Sequence, residues 1–517
     1  MTSEHRIILC NDGGTLGLPD TEAPIGVDAF VAATLGPLRG TSINTLYWQL
    51  GTDPFYGAPT NRLSDWYSHR TQVGAVWGTG RDIFKTAGEW RVAENARDLT
   101  ATGAHDAVAT VIEHGHRAGL DVFVSMRIND GSDCRLPDGL DDVDMSTMRR
   151  QHPDWLLHGK GFVHSQVTVK QRDHSRYAYD FAISEVRAYT LALLEEAIEQ
   201  YDLDGIDLDF CRQPSLFQAD AAEAGASLLN AMLARVRGAL DAKSSRIGRR
   251  LLLSVRVPPD IQENQRAGID VAHWIDQGLT DIVVVGDPRG WHYRLPIEPY
   301  LALAKGRACQ IVAQNLCGFR EAPSRSASVL FGAGPAYSVE QYRAVAARHW
   351  QAGAHGQYIW NQHFIKYIVD ADYHPQTWHD IGSPDKLARL DKHYLLGPVG
   401  RGGCLPITLA TAGVSAHTII EIADDFAVAD PPRTVLRLML EQLTRLDHVE
   451  LRFNGIELER AQARQRLNYN DCWLDFDVSK IIRRGGNELE IRVMARNRRV
   501  AAPLVLRDVE VLVTYPS

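Results

Sequence analysis

The chain has 517 residues, more than a single ordinary core accommodates, which points to one large domain and one smaller one. Hydrophobic residues make up 45% and charged residues 23%, and no run approaches the roughly 18 apolar residues of a membrane span, so the composition is globular and excludes a bilayer crossing. Lys and Arg number 55 against 64 Asp and Glu, a net charge of −9 without any basic run, which disfavours nucleic acid or an anionic membrane as a partner.

The amino terminus, "MTSEHRIILCNDGG", passes straight into a strand-like run without the charged, apolar and small-residue succession of a signal peptide. Seven cysteines are an odd count, and Cys10, Cys211 and Cys309 lie in apolar runs, as reduced core residues do. Both features favour the cytoplasm. Self-association of the chain stays open.

Short β-branched runs alternate with helical patterns through the first three quarters of the sequence, the signature of βαβ units. Eight strands are predicted: "RIILCND" (6–12), "INTLYWQL" (43–50), "DVFVSMRIN" (121–129), "DGIDLDF" (204–210), "LLLSVRV" (251–257), "DIVVVGD" (281–287), "CQIVAQN" (309–315) and "GQYIWN" (356–361). Amphipathic segments such as 184–201 and 338–353 lie between them. This α/β pattern fits a (β/α)8 TIM barrel with long insertions over residues 1–397. A doubly wound sheet is the alternative, but "NDGGTLG" is no dinucleotide loop.

From residue 398 to 517 strands follow one another without long helices: "HTIIEIA", "TVLRLML", "VELRFNGIEL", "NELEIRVMA" and "LVLRDVEVLVTY". They predict a C-terminal β-sandwich domain, read as a packing module rather than a sugar-binding one.

In a barrel, chemistry gathers at the carboxyl ends of the strands. The polar residues there are Asn11 and Asp12; Tyr47, Gln49 and Asp53; Arg127, Asn129 and Asp130; Asp207, Asp209 and Arg212; Arg256; Asp287; Gln314 and Asn315; and Asn361. In "DGIDLDFCR" (204–212), period-two alternation puts Asp207 and Asp209 on one face and Ile206, Leu208 and Phe210 on the other. Buried carboxylates are costly unless paired, so the arginines of strands three to five are their natural counter-charges. A self-contained ion network inside the barrel is the alternative to a ligand site.

Arg127, Arg212 and Arg256 converging on one pocket of an acidic protein imply an anionic ligand, because a guanidinium fork matches a carboxylate or phosphate. There is no P-loop and no Cys and His cluster, so neither nucleotide, metal nor other cofactor is expected, and a sugar acid fits best. Tyr47, Trp77, Trp291 and Trp360 suit stacking on a sugar ring. For glycoside hydrolysis a proton donor and a second group are needed. Asp12, at the end of an apolar run, is the candidate acid, with capping of the next turn as its alternative role. Asp130 and Asp133 in "RINDGSD" are candidates for activating water.

Together "NDGG", "SMRINDGSD", "YDLDGIDLDFCRQP" and "YIWN" resemble the barrel glycoside hydrolases of family 156, inverting exo-sialidases, and related uncharacterised barrel hydrolases. The resemblance spans roughly residues 5–365 through four short motifs. It implies release of a terminal sialic acid from a sialylated glycan. Asp12 then matches the catalytic acid, Arg127 and Arg212 the arginines that hold the carboxylate, and Asn361 a polar ligand contact. The family's water-activating histidine is replaced by Ser132 beside Asp133, and His152 or His164 could reach the pocket only through a longer loop. A noncatalytic sugar-acid-binding protein, and a uronic-acid glycosidase or lyase, are the other functions weighed.

Overall fold

The computed structural model describes residues 5–17, 25–49, 91, 95, 99, 107–129, 149, 152–165, 175–288, 290–317, 319–321, 333–362, 375–399, 402–410 and 413–516. The chain divides into two compact units. The first comprises Met1–Gly290, Ile297–Gly318 and Ala354–Pro375; the second comprises Trp291–Pro296, Phe319–Gly353 and Gln376–Ser517. The second unit therefore takes in segments that precede residue 398, among them the helix Val339–Ala352.

All eight predicted strands of the first unit form: β1 (Arg6–Asn11), β2 (Thr45–Gln49), β3 (Asp121–Arg127), β4 (Gly205–Asp209), β5 (Leu252–Val257), β6 (Ile282–Val285), β7 (Gln310–Gln314) and β8 (Gly356–Trp360). They close into a parallel barrel in the order β1-β8-β7-β6-β5-β4-β3-β2. Barrel strands are covered on both faces, which is why "IVVV" and "TLYWQ" are buried at every position. Long helices return the chain between strands, as Ser184–Gln200 does before β4 and Ala226–Ile247 after it. At the start of β4 a side chain on Gly205 would collide with the Phe123 ring, so glycine there lets β3 and β4 close the barrel floor.

Among its described residues the second unit holds two main antiparallel sheets, one of six strands and one of four, beside a two-stranded pair of Phe319–Glu321 with Ala333–Ala336. Leu436, Leu438 and Leu440 of Arg433–Glu441 in the larger sheet share a core with Ile420, Ile422, Leu451, Phe453, Leu489 and Ile491 of the smaller. This is the expected β-sandwich. Four of its strands escaped the sequence analysis: Lys392–Leu395, Ile407–Thr408, Arg464–Asn468, exposed at every position, and the last one's partner Asp471–Asp477.

Among the described residues no helix is long and apolar enough to cross a membrane. Cys10, Cys211 and Cys309 are buried thiols, as expected.

Candidate active site

The strand register sets three sequence patterns side by side. Ser125-x-Arg127 on β3 and Ser254-x-Arg256 on β5 flank Asp207-x-Asp209 on β4, with Ser125, Asp207 and Ser254 in one row and Arg127, Asp209 and Arg256 in the next. In the lower row Asp207 is completely buried and accepts hydrogen bonds from Ser125 Oγ at 2.7 Å and Ser254 Oγ at 2.8 Å. Burial pushes its carboxyl up to about 7, and the neighbouring Asp209 acts in the same direction, while the two hydroxyls oppose it.

In the upper row Asp209 accepts from Arg256 Nη1 at 2.8 Å and from the Cys211 amide at 2.8 Å. Arg256 also donates to Gln314 Oε1 at 3.2 and 2.8 Å and to the Asp287 carbonyl at 2.6 Å, and it lies 5.2 Å over the Tyr358 ring. A side chain on Gly286 would collide with Gln314 Oε1, so glycine on the neighbouring wall admits this arrangement. Each charge of the pair is 1% exposed. For Asp209 and Arg256 the self-contained network is therefore what forms. Arg256, expected at the ligand, instead uses its guanidinium to hold the strand ends together.

The mouth above this floor is organised around Asp12. Its carboxylate accepts from Asn361 Nδ2 at 2.5 Å, from Arg127 Nη2 at 3.3 Å and from the Gly14 amide at 3.2 Å. The Asp12 amide in turn donates to Asn361 Oδ1 at 3.2 Å. Asn361 adopts a left-handed φ of 47°, a conformation asparagine tolerates better than most residues, immediately after β8. Arg212, from the loop after β4, lies 5.9 Å over the Trp360 ring. Asp12 is about a quarter exposed while Arg127 is nearly covered, so the acid is the part of this group that meets solvent.

The remaining candidates fall elsewhere. Asn129 is 1% exposed; its Nδ2 donates to the Tyr179 and Ser215 carbonyls at 2.9 and 2.8 Å, and its Oδ1 accepts from the Tyr179 amide at 2.9 Å. Both amide hydrogens are thereby used in clamping two loops, so Asn129 is a positioning residue rather than the ligand contact expected of it. Tyr47 is fully buried and stacks on Phe123 at 4.8 Å inside the barrel. It therefore packs the floor and offers no face for a sugar. Gln49 follows it on the same inner face and is 2% exposed. Trp291 belongs to the second unit. His152 stacks on Trp155 at 3.9 Å, and buried His164 faces Glu263 at 3.4 Å and Asn264 at 3.2 Å. Asp53, Trp77, Asp130 and Asp133 lie outside the described residues. The sequence analysis missed Ser125 and Ser254, although the repeated S-x-R on either side of D-x-D is a readable signal once the strands are aligned. It also missed Arg149, which is buried 4.7 Å over the Tyr179 ring.

Residues 61–225 match the model of the family described as glycosyl hydrolase-like 10. That segment contains β3, β4, Arg127, Asp207, Asp209 and Arg212. No curated protein matches the chain. Among solved structures, the chain is similar to a cycloisomaltooligosaccharide glucanotransferase from Paenibacillus sp., at 10% identity and a TM-score of 0.34, over 98% of this chain and 58% of that one. It thus spans little more than half the length of that protein. A maltogenic α-amylase from Thermotoga neapolitana aligns at 12% identity and a TM-score of 0.35, over 99% of each chain. The PgaB glycoside hydrolase domain from Bordetella bronchiseptica aligns at 12% identity and a TM-score of 0.37, over 74% of this chain and 99% of that one.

Proposed function

We propose that the chain is a glycoside hydrolase that removes a terminal acidic sugar, sialic acid, with inversion. The observation that carries this is the Asp12 group: a solvent-facing carboxyl at the barrel mouth, steadied by Asn361, with Arg127 touching it and a second cation, Arg212, at the same end of the barrel. The match of residues 61–225 to a glycosyl hydrolase-like family supports the reaction class. The family 156 resemblance supports the sugar.

In this reaction the sugar carboxylate lies against Arg127 and Arg212, whose planar forks accept it in a bidentate way. Asp12 gives its proton to the glycosidic oxygen as the bond to the anomeric carbon breaks. A water attacks that carbon from the opposite face and passes a proton to a second carboxylate, assigned to Asp133 or Asp130, which follow β3 in the sequence. The ligand carboxylate takes Arg127 from Asp12, so substrate binding rearranges the contacts of the acid itself.

A sugar-acid-binding protein without turnover is the second reading, favoured by Ser132 standing where the resembled family has its histidine. Incubating the purified protein with an aryl sialoside, beside an Asp12→Asn control, separates the two. Release that disappears in the control supports hydrolysis. Saturable binding of free sialic acid without release supports the second reading.

A further inference from the structure

Most polar groups on the inner wall of the barrel mouth are matched within the protein: Asp209 with Arg256, and Asp12 with Arg127 and Asn361. Gln49 is different. It is 2% exposed, and among the described residues neither its Nε2 nor its Oε1 has a hydrogen-bond partner. Its direction is fixed by Tyr47, two residues earlier on the same face, which stacks on Phe123 and meets Tyr358 edge-on inside the barrel.

The register places Gln49 centrally. Asn11 pairs with Trp48, so Asp12 borders Gln49 on one side; Ser125 pairs with Gln49 on the other, and Arg127 stands two residues above Ser125. The hydrogen bond from Arg127 to Asp12 therefore runs from β3 to β1 past the end of β2, where Gln49 sits. Gln314 Nε2 on β7 and Trp360 Nε1 on β8 are likewise buried without partners among the described residues. An amide buried with both ends unmet costs about 1–3 kcal/mol, a penalty that a ligand of the right chemistry removes.

That chemistry follows from the group. A primary amide presents one acceptor and one donor side by side in a plane. A second carboxylate would satisfy Nε2 and repel Oε1, and an ammonium would do the reverse. Two adjacent hydroxyls, one donating and one accepting, satisfy both at once. We propose that Gln49 binds a vicinal diol of the acidic sugar, beneath the Asp12–Arg127 pair, with the donors of Gln314 and Trp360 facing other oxygens of the same uncharged side. This rests on the acidic-sugar reading above and adds the orientation of the sugar: carboxylate at the cationic rim, hydroxyls on the neutral wall.

The test uses titration calorimetry with N-acetylneuraminic acid and with the same acid after periodate cleavage and borohydride reduction of its glycerol tail, which destroys the exocyclic diol. Wild-type protein is expected to bind the intact acid at least about 10-fold more tightly, and Gln49→Leu to bind the two alike. Because the variant removes an unmatched buried amide, its Tm without sugar is expected to equal or exceed that of the wild type. A preference that survives in Gln49→Leu overturns the assignment, as does a variant that melts earlier or does not fold, since Gln49 would then serve the structure. Equal binding of both acids by the wild type removes the diol assignment alone. Binding of neither removes the acidic-sugar reading and the assignment with it.

Discussion

Arg212 and Trp360 meet across the barrel mouth, the guanidinium carbon 5.9 Å from the ring centre, although β4 and β8 stand opposite each other, four places apart in the closed eight-strand order. Together with the Asp12–Arg127 bond, this contact places two cations at the carboxyl end of the barrel. Arg127→Ala and Arg212→Ala are each expected to weaken binding of an acidic sugar by roughly 2–5 kcal/mol, the range for truncating one partner of a buried charge pair. Calorimetry with sialic acid checks this, and unchanged affinity in either variant removes that arginine from the carboxylate clamp.

Below the mouth, the Asp209–Arg256 pair holds the strand ends. Arg256→Met leaves a carboxylate that is 1% exposed without its cation, and is expected to cost about 3–5 kcal/mol in denaturant unfolding. Adding Asp209→Asn to that variant is expected to restore much of the loss. A single variant as stable as the wild type would mean that the pair holds nothing.

Asp207 sets a pH dependence. Its carboxyl is raised in the fold to about 7 from an ordinary 3.8, so between those values the folded chain holds a proton that the unfolded chain has released. Stability from this group is fully present below about pH 4, falls as pH rises toward 7 and is lost above it, by a total on the order of 4 kcal/mol. Asp207→Asn stays neutral throughout and can still hydrogen-bond Ser125 and Ser254. Melting curves from pH 4 to 8 are expected to show a decline in the wild type that is shallower in the variant; parallel profiles count against a protonated Asp207.

Gly286→Ala probes the wall that holds Arg256. The added methyl meets Gln314 Oε1, the atom that accepts two hydrogen bonds from Arg256. A loss of about 1–3 kcal/mol in unfolding free energy is expected, in the range of overpacking changes, and none is expected if Gln314 can move aside freely.

The barrel was legible because each strand is a compact β-branched run, and the ends of "DVFVSMRIN" and "GQYIWN" carry polar residues where buried strands ordinarily have none. The same property singled out Asp12, Arg127 and Asn361 one by one, but their hydrogen bonds to one another are visible only in the structure. What strand ends alone do not reveal is which polar side chains the protein keeps for itself. Arg256 is satisfied by Gln314, 58 positions away, and Asn129 by Tyr179 and Ser215, 50 and 86 positions away; those partners are fixed by barrel closure and loop return, not by local spacing. The strand "RQRLN" escaped notice because an edge strand exposed at every position has no apolar alternation to read.

The central claim is that Asp12 protonates the leaving group of an acidic glycoside. It is tested most directly by following hydrolysis of an aryl sialoside by NMR, with wild-type protein and Asp12→Asn in parallel. The expected result is release of the inverted anomer by the wild type and no release by an Asp12→Asn variant that retains the wild-type fold. Release by the variant within a few fold of wild type would contradict the claim, and release of the retained anomer would contradict the single-displacement mechanism.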